Sequence, residues 1–115
     1  MHAIGITESG RKKRYEVNKN GGIICGLEDL VSLELFDCEE LRYLRCTHNH
    51  LTDLDLSACK ELRELSFSVA NKSLELELSG CKELEELVCS DDDFTELELS
   101  NFKKLKKIDA AKIIN

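Results

Sequence analysis

A phrase of about 21 residues recurs along this chain, and a period of that length restricts the fold more than any other feature of the sequence. One copy runs Leu41-x-x-Leu44-x-Cys46-x-x-Asn49-x-Leu51, then Thr52-x-Leu54-Asp55-Leu56-Ser57-x-Cys59. The next copy opens at Leu62. Copies begin near Asn20, Leu41, Leu62, Leu84 and Leu105, so the third step is longer than the others by one. The additional residue falls in Ser68–Leu74, where a loop must bulge before Leu76 and Leu78 rejoin the register. A unit this short cannot bury an apolar face alone, so it has to stack on its neighbours, and at least three copies are needed.

Within each copy x-Leu-x-Cys-x alternates apolar and polar residues, as a strand with one buried face requires. The Thr-x-Leu-Asp-Leu-Ser half alternates too and predicts a second short extended segment on the opposite side. No helical period is visible. Asn49, Asn71 and Asp92 (Glu28 in the first copy) fall between the two segments, where short polar side chains hydrogen-bond turn backbone. The expected fold is therefore a leucine-rich repeat solenoid: a β-rich, right-handed coil of about four and a half repeats with a parallel main sheet and few or no helices. Residues 20–115 make the solenoid. Residues 1–19 lie outside the phrase and read as an N-terminal cap, in which Tyr15-Glu16-Val17 alternates and could form a covering strand.

The six cysteines occupy two columns of the repeat. The first reads Cys25, Cys46, Phe67, Cys89, Ala110, and the second Cys38, Cys59, Cys81, Phe102. A column that accepts Phe and Ala is apolar, and a free cysteine behaves there as a small hydrophobe. Zinc would need ligands converging tetrahedrally, usually from short knuckles, whereas these spacings follow the coil. Disulfides remain the rival, because equivalent residues of adjacent coils sit about 4.8 Å apart, within the Cα range of the bond. In-register side chains point the same way, which opposes the required dihedral near 90°. Reduced, core-filling thiols are the favoured reading.

Charge is divided unevenly. Residues 1–19 carry Arg11, Lys12, Lys13, Arg14 and Lys19 against Glu8 and Glu16, a balance of +3; the rest of this −7 chain carries −10. An acidic body argues against nucleic acid, which is bound by neutralising phosphates. The Arg11–Arg14 cluster is expected in a solvated loop of the cap. No apolar run approaches the roughly 18 residues that a spanning helix needs, so no membrane insertion is expected. No apolar leader core is read in residues 1–20. The compartment stays open between the cytoplasm and, if a leader has been removed, the cell surface or exterior.

The repeated phrase resembles the cysteine-containing 21-residue repeats of bacterial internalin-type and BspA-type surface proteins, over residues 20–115. That resemblance implies a solenoid that adheres to or binds other proteins. No cofactor, metal or catalytic residue is expected. His48 and His50 flank Asn49 in a turn while Cys46 points inward, no phosphate loop or nucleophile elbow is present, and Asp91-Asp92-Asp93 lacks the later residues of a calcium loop.

Function should instead lie on outward positions. Those of the main strand are Gly22/Ile24/Gly26, Tyr43/Arg45/Thr47, Glu64/Ser66/Ser68, Glu86/Val88/Ser90 and Lys107/Asp109/Ala111. Hot spots favour Tyr and Arg, which selects Tyr43, Arg45, His48, Glu64 and Glu86 as the contact patch. The second segment points Ser32, Asp53, Glu75, Glu96 and Glu34, Asp55, Glu77, Glu98 outward. All but Ser32 are acidic, an acidic stripe suited to a basic partner. Calcium fits this stripe poorly, since parallel carboxylates on a flat face do not converge on one ion. A non-enzymatic module that binds another protein is the first expectation. A spacer within a longer bacterial surface protein and a cytoplasmic adaptor or inhibitor are the alternatives. The apolar ending Ile108–Asn115 is expected to fold back or to join a second copy through the C-terminal coil.

Overall fold

A computed structural model describes residues 1–26, 29–47, 51, 53–67, 75–78, 80–89 and 107–110. Its strands are β1 (His2–Thr7), β2 (Lys12–Glu16), β3 (Gly22–Ile24), β4 (Leu30–Phe36), β5 (Tyr43–Cys46), β6 (Asp53–Asp55), β7 (Glu64–Phe67), β8 (Glu75–Glu77), β9 (Glu86–Cys89) and β10 (Lys107–Ala110). No helix occurs among the described residues.

Five strands form one parallel sheet in the order β10-β9-β7-β5-β3. Gly22 pairs with Tyr43, Tyr43 with Glu64, Glu64 with Glu86, and Glu86 with Lys107. These partners are the first outward positions of successive copies. The inward row is Ile23, Leu44, Leu65 and Leu87, each at most 1% exposed. Period-2 geometry explains why a Leu-x-Cys spacing buries both residues: Leu44 and Cys46 share a face, as do Leu65 and Phe67, all buried. Burying each large apolar side chain contributes about 1.5–3 kcal/mol, against the backbone entropy lost in ordering the strands.

The return to the sheet is made the same way each time. Leu41 N–H donates to Cys38 O at 3.2 Å, Leu62 N–H to Cys59 O at 3.3 Å, and Leu84 N–H to Cys81 O at 3.3 Å. The following residues extend the ladder: Arg42 N–H donates to Gly21 O, Arg63 N–H to Arg42 O, and Glu85 N–H to Arg63 O, all at 2.8 Å. On the opposite side β6 and β8 make a two-stranded parallel sheet that pairs Asp53 with Glu75 and Asp55 with Glu77.

The cap departs from the sequence expectation. Residues 1–19 contribute a hairpin, β1 and β2, and β1 also pairs antiparallel with β4, giving a sheet ordered β2-β1-β4. The turn is built by Thr7 N–H donating to Arg11 O and Gly10 N–H to Thr7 O, both at 2.9 Å. Gly10 has φ of 85°, the left-handed residue that closes a three-residue hairpin loop. Three basic residues read as loop, Lys12, Lys13 and Arg14, therefore lie in β2, and this strand ends at Glu16 rather than including Val17. Tyr15 and Val17 do pack against the core cluster as a cover. β4 is also longer than β6 and β8, because β1 pairs with it from Leu30 to Phe36.

Five thiols, those of Cys25, Cys38, Cys46, Cys59 and Cys81, are free and buried. Two bridge adjacent repeats: Cys46 Sγ donates to Ser66 O at 3.4 Å, and Cys81 Sγ to Leu56 O at 3.3 Å. Burial pushes the Cys59 thiol up to about 12 and raises those of Cys38 and Cys46 as well. Such thiols stay protonated and unreactive at neutral pH.

Candidate functional site

The outward face of the parallel sheet starts at Gly22 and is occupied by Tyr43 from the next strand. A Cβ at residue 22 would overlap the Tyr43 ring, so the ring lies flat across a glycine that leaves it room. Asn18 holds the ring in place: its Nδ2 donates to Tyr43 Oη at 2.7 Å. The same side chain's Oδ1 accepts from Asn20 N–H at 2.9 Å and Gly22 N–H at 3.1 Å. Asn18 thus ties the turn entering β3 to the aromatic residue on β5.

Arg45 stands two residues further along β5, on the same face. Its guanidinium carbon lies 5.0 Å from the Tyr43 ring centroid, within cation–π range. Its Nη2 reaches Glu64 Oε2 on β7 at 3.6 Å. Both side chains stay open to solvent, 54% and 43% exposed, so this ion pair adds at most about 1 kcal/mol to stability. It sets the guanidinium of Arg45 between the Tyr43 ring and the Glu64 carboxylate. Glu86 follows Glu64 in register on β9 and is half-buried.

The structure therefore brings Tyr43, Arg45, Glu64 and Glu86 together as one strip across three strands. His48 lies outside the described residues. Two contributors were not singled out from sequence. Ile24, 55% exposed, pairs with Arg45 in the ladder and places apolar surface beside the guanidinium. Its outward register position was the available signal. Asn18 was invisible, because its role depends on a contact 25 residues away.

The acidic stripe falls on β4, β6 and β8 among the described residues. The backbone register aligns Asp53 with Glu75 and Asp55 with Glu77, while Glu96 and Glu98 lie outside the described residues. Glu34 sits on β4, whose ladder partner is β1, opposite Ile4. Glu34 and Asp55 line one groove of about 430 Å³, together with Asp37 and Glu39. Asp55 accepts from Ser57 N–H at 2.9 Å and Ser57 Oγ at 2.7 Å, and these bonds hold its carboxyl below the usual range.

Among the described residues no group of three or more His, Cys, Asp or Glu side chains is arranged to hold a metal ion. No helix there is long and apolar enough to cross a membrane. No protein-family model, curated protein or solved structure matches this chain.

Proposed function

We infer that this chain is a leucine-rich repeat solenoid that binds another protein, without catalysis, across the outward face of its parallel sheet. The observation that carries this reading is the preassembled strip of Ile24, Tyr43, Arg45 and Glu64. An aromatic ring, an arginine and an exposed aliphatic side chain are the residue types that anchor interfaces. Here they are held in fixed relative positions, which lowers the ordering cost of association. A stack of coils presents such side chains along one extended surface.

The test uses the full chain as bait. Arg45→Glu with Ile24→Asp changes two exposed side chains and leaves the core columns untouched, so the variant should fold as the parent does. Capture of partner protein should fall at least tenfold. Equal capture by the folded double variant would remove the sheet-face reading.

A second reading rests on the carboxylate-lined groove and the register of Asp53, Asp55, Glu75 and Glu77: a basic partner drawn to this side of the molecule. Binding of that kind weakens steeply between about 50 and 500 mM salt, since exposed charges are screened over that range. Salt-insensitive capture would exclude it.

A further inference from the structure

One edge of the cap hairpin is open and carries backbone polar groups and charged side chains. β2 is the terminal strand of its sheet. Antiparallel pairs alternate between hydrogen-bonded and non-hydrogen-bonded partners. Thr7 N–H donates to Arg11 O, so the hydrogen-bonded pairs continuing from it are Gly5 with Lys13 and Ala3 with Tyr15. The N–H and C=O groups of Lys12, Arg14 and Glu16 consequently turn away from β1, toward the outer edge. Among the described residues no strand pairs with that edge.

The side chains on the same three residues are exposed. Lys12 and Arg14 are cationic, and Arg14 Nε is bonded to Glu16 Oε1 along the strand. In a chain of net charge −7, residues 1–19 carry +3, and this edge shares that local basic balance. Lysines on an edge strand oppose pairing with another copy of the same basic edge. They do not oppose an acidic strand, for which directly opposite unlike charges are favourable.

We propose that the β2 edge is a strand-addition site for an extended acidic segment of a partner protein. An added antiparallel strand would exchange backbone hydrogen bonds with Glu16, Arg14 and Lys12 in turn. It would set Asp or Glu opposite Arg14 and Lys12. Opposite Tyr15, whose ring faces the core side, a β-branched residue fits best. Read from its own N-terminus, the matching segment is Thr-Val-Glu-Thr-Glu. This site lies on a different sheet from the Tyr43–Arg45 strip, so it stands or falls independently of the sheet-face reading.

The experiment titrates the full-length chain with the capped peptide Ser-Thr-Val-Glu-Thr-Glu-Ser, followed by NMR. At saturation, amide exchange at Lys12, Arg14 and Glu16 should slow at least tenfold. Methylating the backbone nitrogen of the Glu opposite Arg14 preserves the charge and removes one ladder bond, and should weaken binding at least tenfold. Lys12→Glu with Arg14→Glu should do the same to the parent peptide. Two results would overturn the proposal: no binding of the parent peptide at millimolar concentration, or equal affinity for the N-methylated one. The second would mean attraction by charge without strand addition, and it needs no protein variant.

Discussion

Replacing Gly80 by alanine probes how closely the turns of neighbouring repeats approach. Gly80 sits in the turn between Leu78 and Cys81, directly over the equivalent turn of the preceding coil. A Cβ there would lie 2.8 Å from the carbonyl carbon of Ser57 and 3.3 Å from its Cα, and closer still to the carbonyl oxygen. These are backbone atoms, which cannot rotate aside. Ordinary contact begins at about 3.5 Å, so the two turns would have to separate by roughly 1 Å. Both turns are closed by hydrogen bonds at 2.9 Å, Cys59 N–H to Leu56 O and Cys81 N–H to Leu78 O. The bond from Cys81 Sγ to Leu56 O crosses the gap between them. Overpacking of this kind costs about 1–3 kcal/mol, and the weakened thiol bond adds about 0.5 kcal/mol. The stiffer unfolded chain returns about 0.4–1 kcal/mol. The net loss is about 2 kcal/mol, which displaces a urea midpoint by roughly 1 M. Gly10→Ala is the matched control. Its φ is 85° with no heavy atom within 4 Å of the added Cβ, so it suffers backbone strain alone and should lose less. Equilibrium urea unfolding of both variants checks the argument. A Gly80→Ala loss under about 0.5 kcal/mol, the range of an ordinary surface substitution, would refute the close coil contact. So would a loss milder than that of Gly10→Ala.

Other outcomes follow from the same packing. Phe67→Ala, at a fully buried site in ladder register with Cys46, should cost about 3–5 kcal/mol by opening a cavity, read by thermal or urea unfolding. Tyr43→Phe removes the hydroxyl that accepts from Asn18 and should lower stability by about 1 kcal/mol, measured the same way. Alkaline titration has a defined sign. Cys59 titrates at about 12 in the folded chain and at about 8.5 when unfolded. Its contribution is complete below the unfolded value and is lost as pH rises from there toward 12, by about 1.4 kcal/mol per pH unit for each thiol so placed. Cys59→Ala should flatten that decline, as followed by circular dichroism. A thiol reagent added to the native protein at pH 7 should react with Cys25, Cys38, Cys46, Cys59 and Cys81 only at the rate of unfolding, and promptly in denaturant. Immediate labelling of any of these five in the native state would show that they are not sealed in the core.

The positions of the strands in the parallel sheet were legible because one period fixes two things together. A 21-residue spacing sets which residues stack, and strand alternation sets which of them face inward. Cys46, Phe67 and the leucines beside them follow from those two rules with no knowledge of the rest of the chain. The cap was not legible in the same way. Its strands lie outside the repeat, and the pairing of β1 with β4 joins positions far apart in the chain, such as Ala3 and Leu35. The local signal for the hairpin was Thr7-Glu8-Ser9-Gly10, a turn sequence with glycine at the left-handed position, and the run of basic residues after it concealed a strand. For the site, residue type pointed to Tyr43 and Arg45, but their mutual geometry depends on Gly22 being bare and on Asn18 reaching across. In the acidic stripe, the pairing of Asp53 with Glu75 and Asp55 with Glu77 was legible from the period, whereas the pairing of β4 with β1 on its other edge was not.

The register of the parallel sheet determines which side chains lie on its open face, since a slip of one residue exchanges the two faces of a strand. Cross-strand contacts between amide and α-protons, measured by NMR on the full chain, test it most directly. The expected pattern links Ile23 to Leu44, Leu44 to Leu65 and Leu65 to Leu87 in parallel ladders, with Tyr43, Arg45 and Glu64 on the open face. Contacts displaced by one residue would place Arg45 in the core, an antiparallel pattern would break the strand order, and either result would contradict the fold described and the proposed binding face.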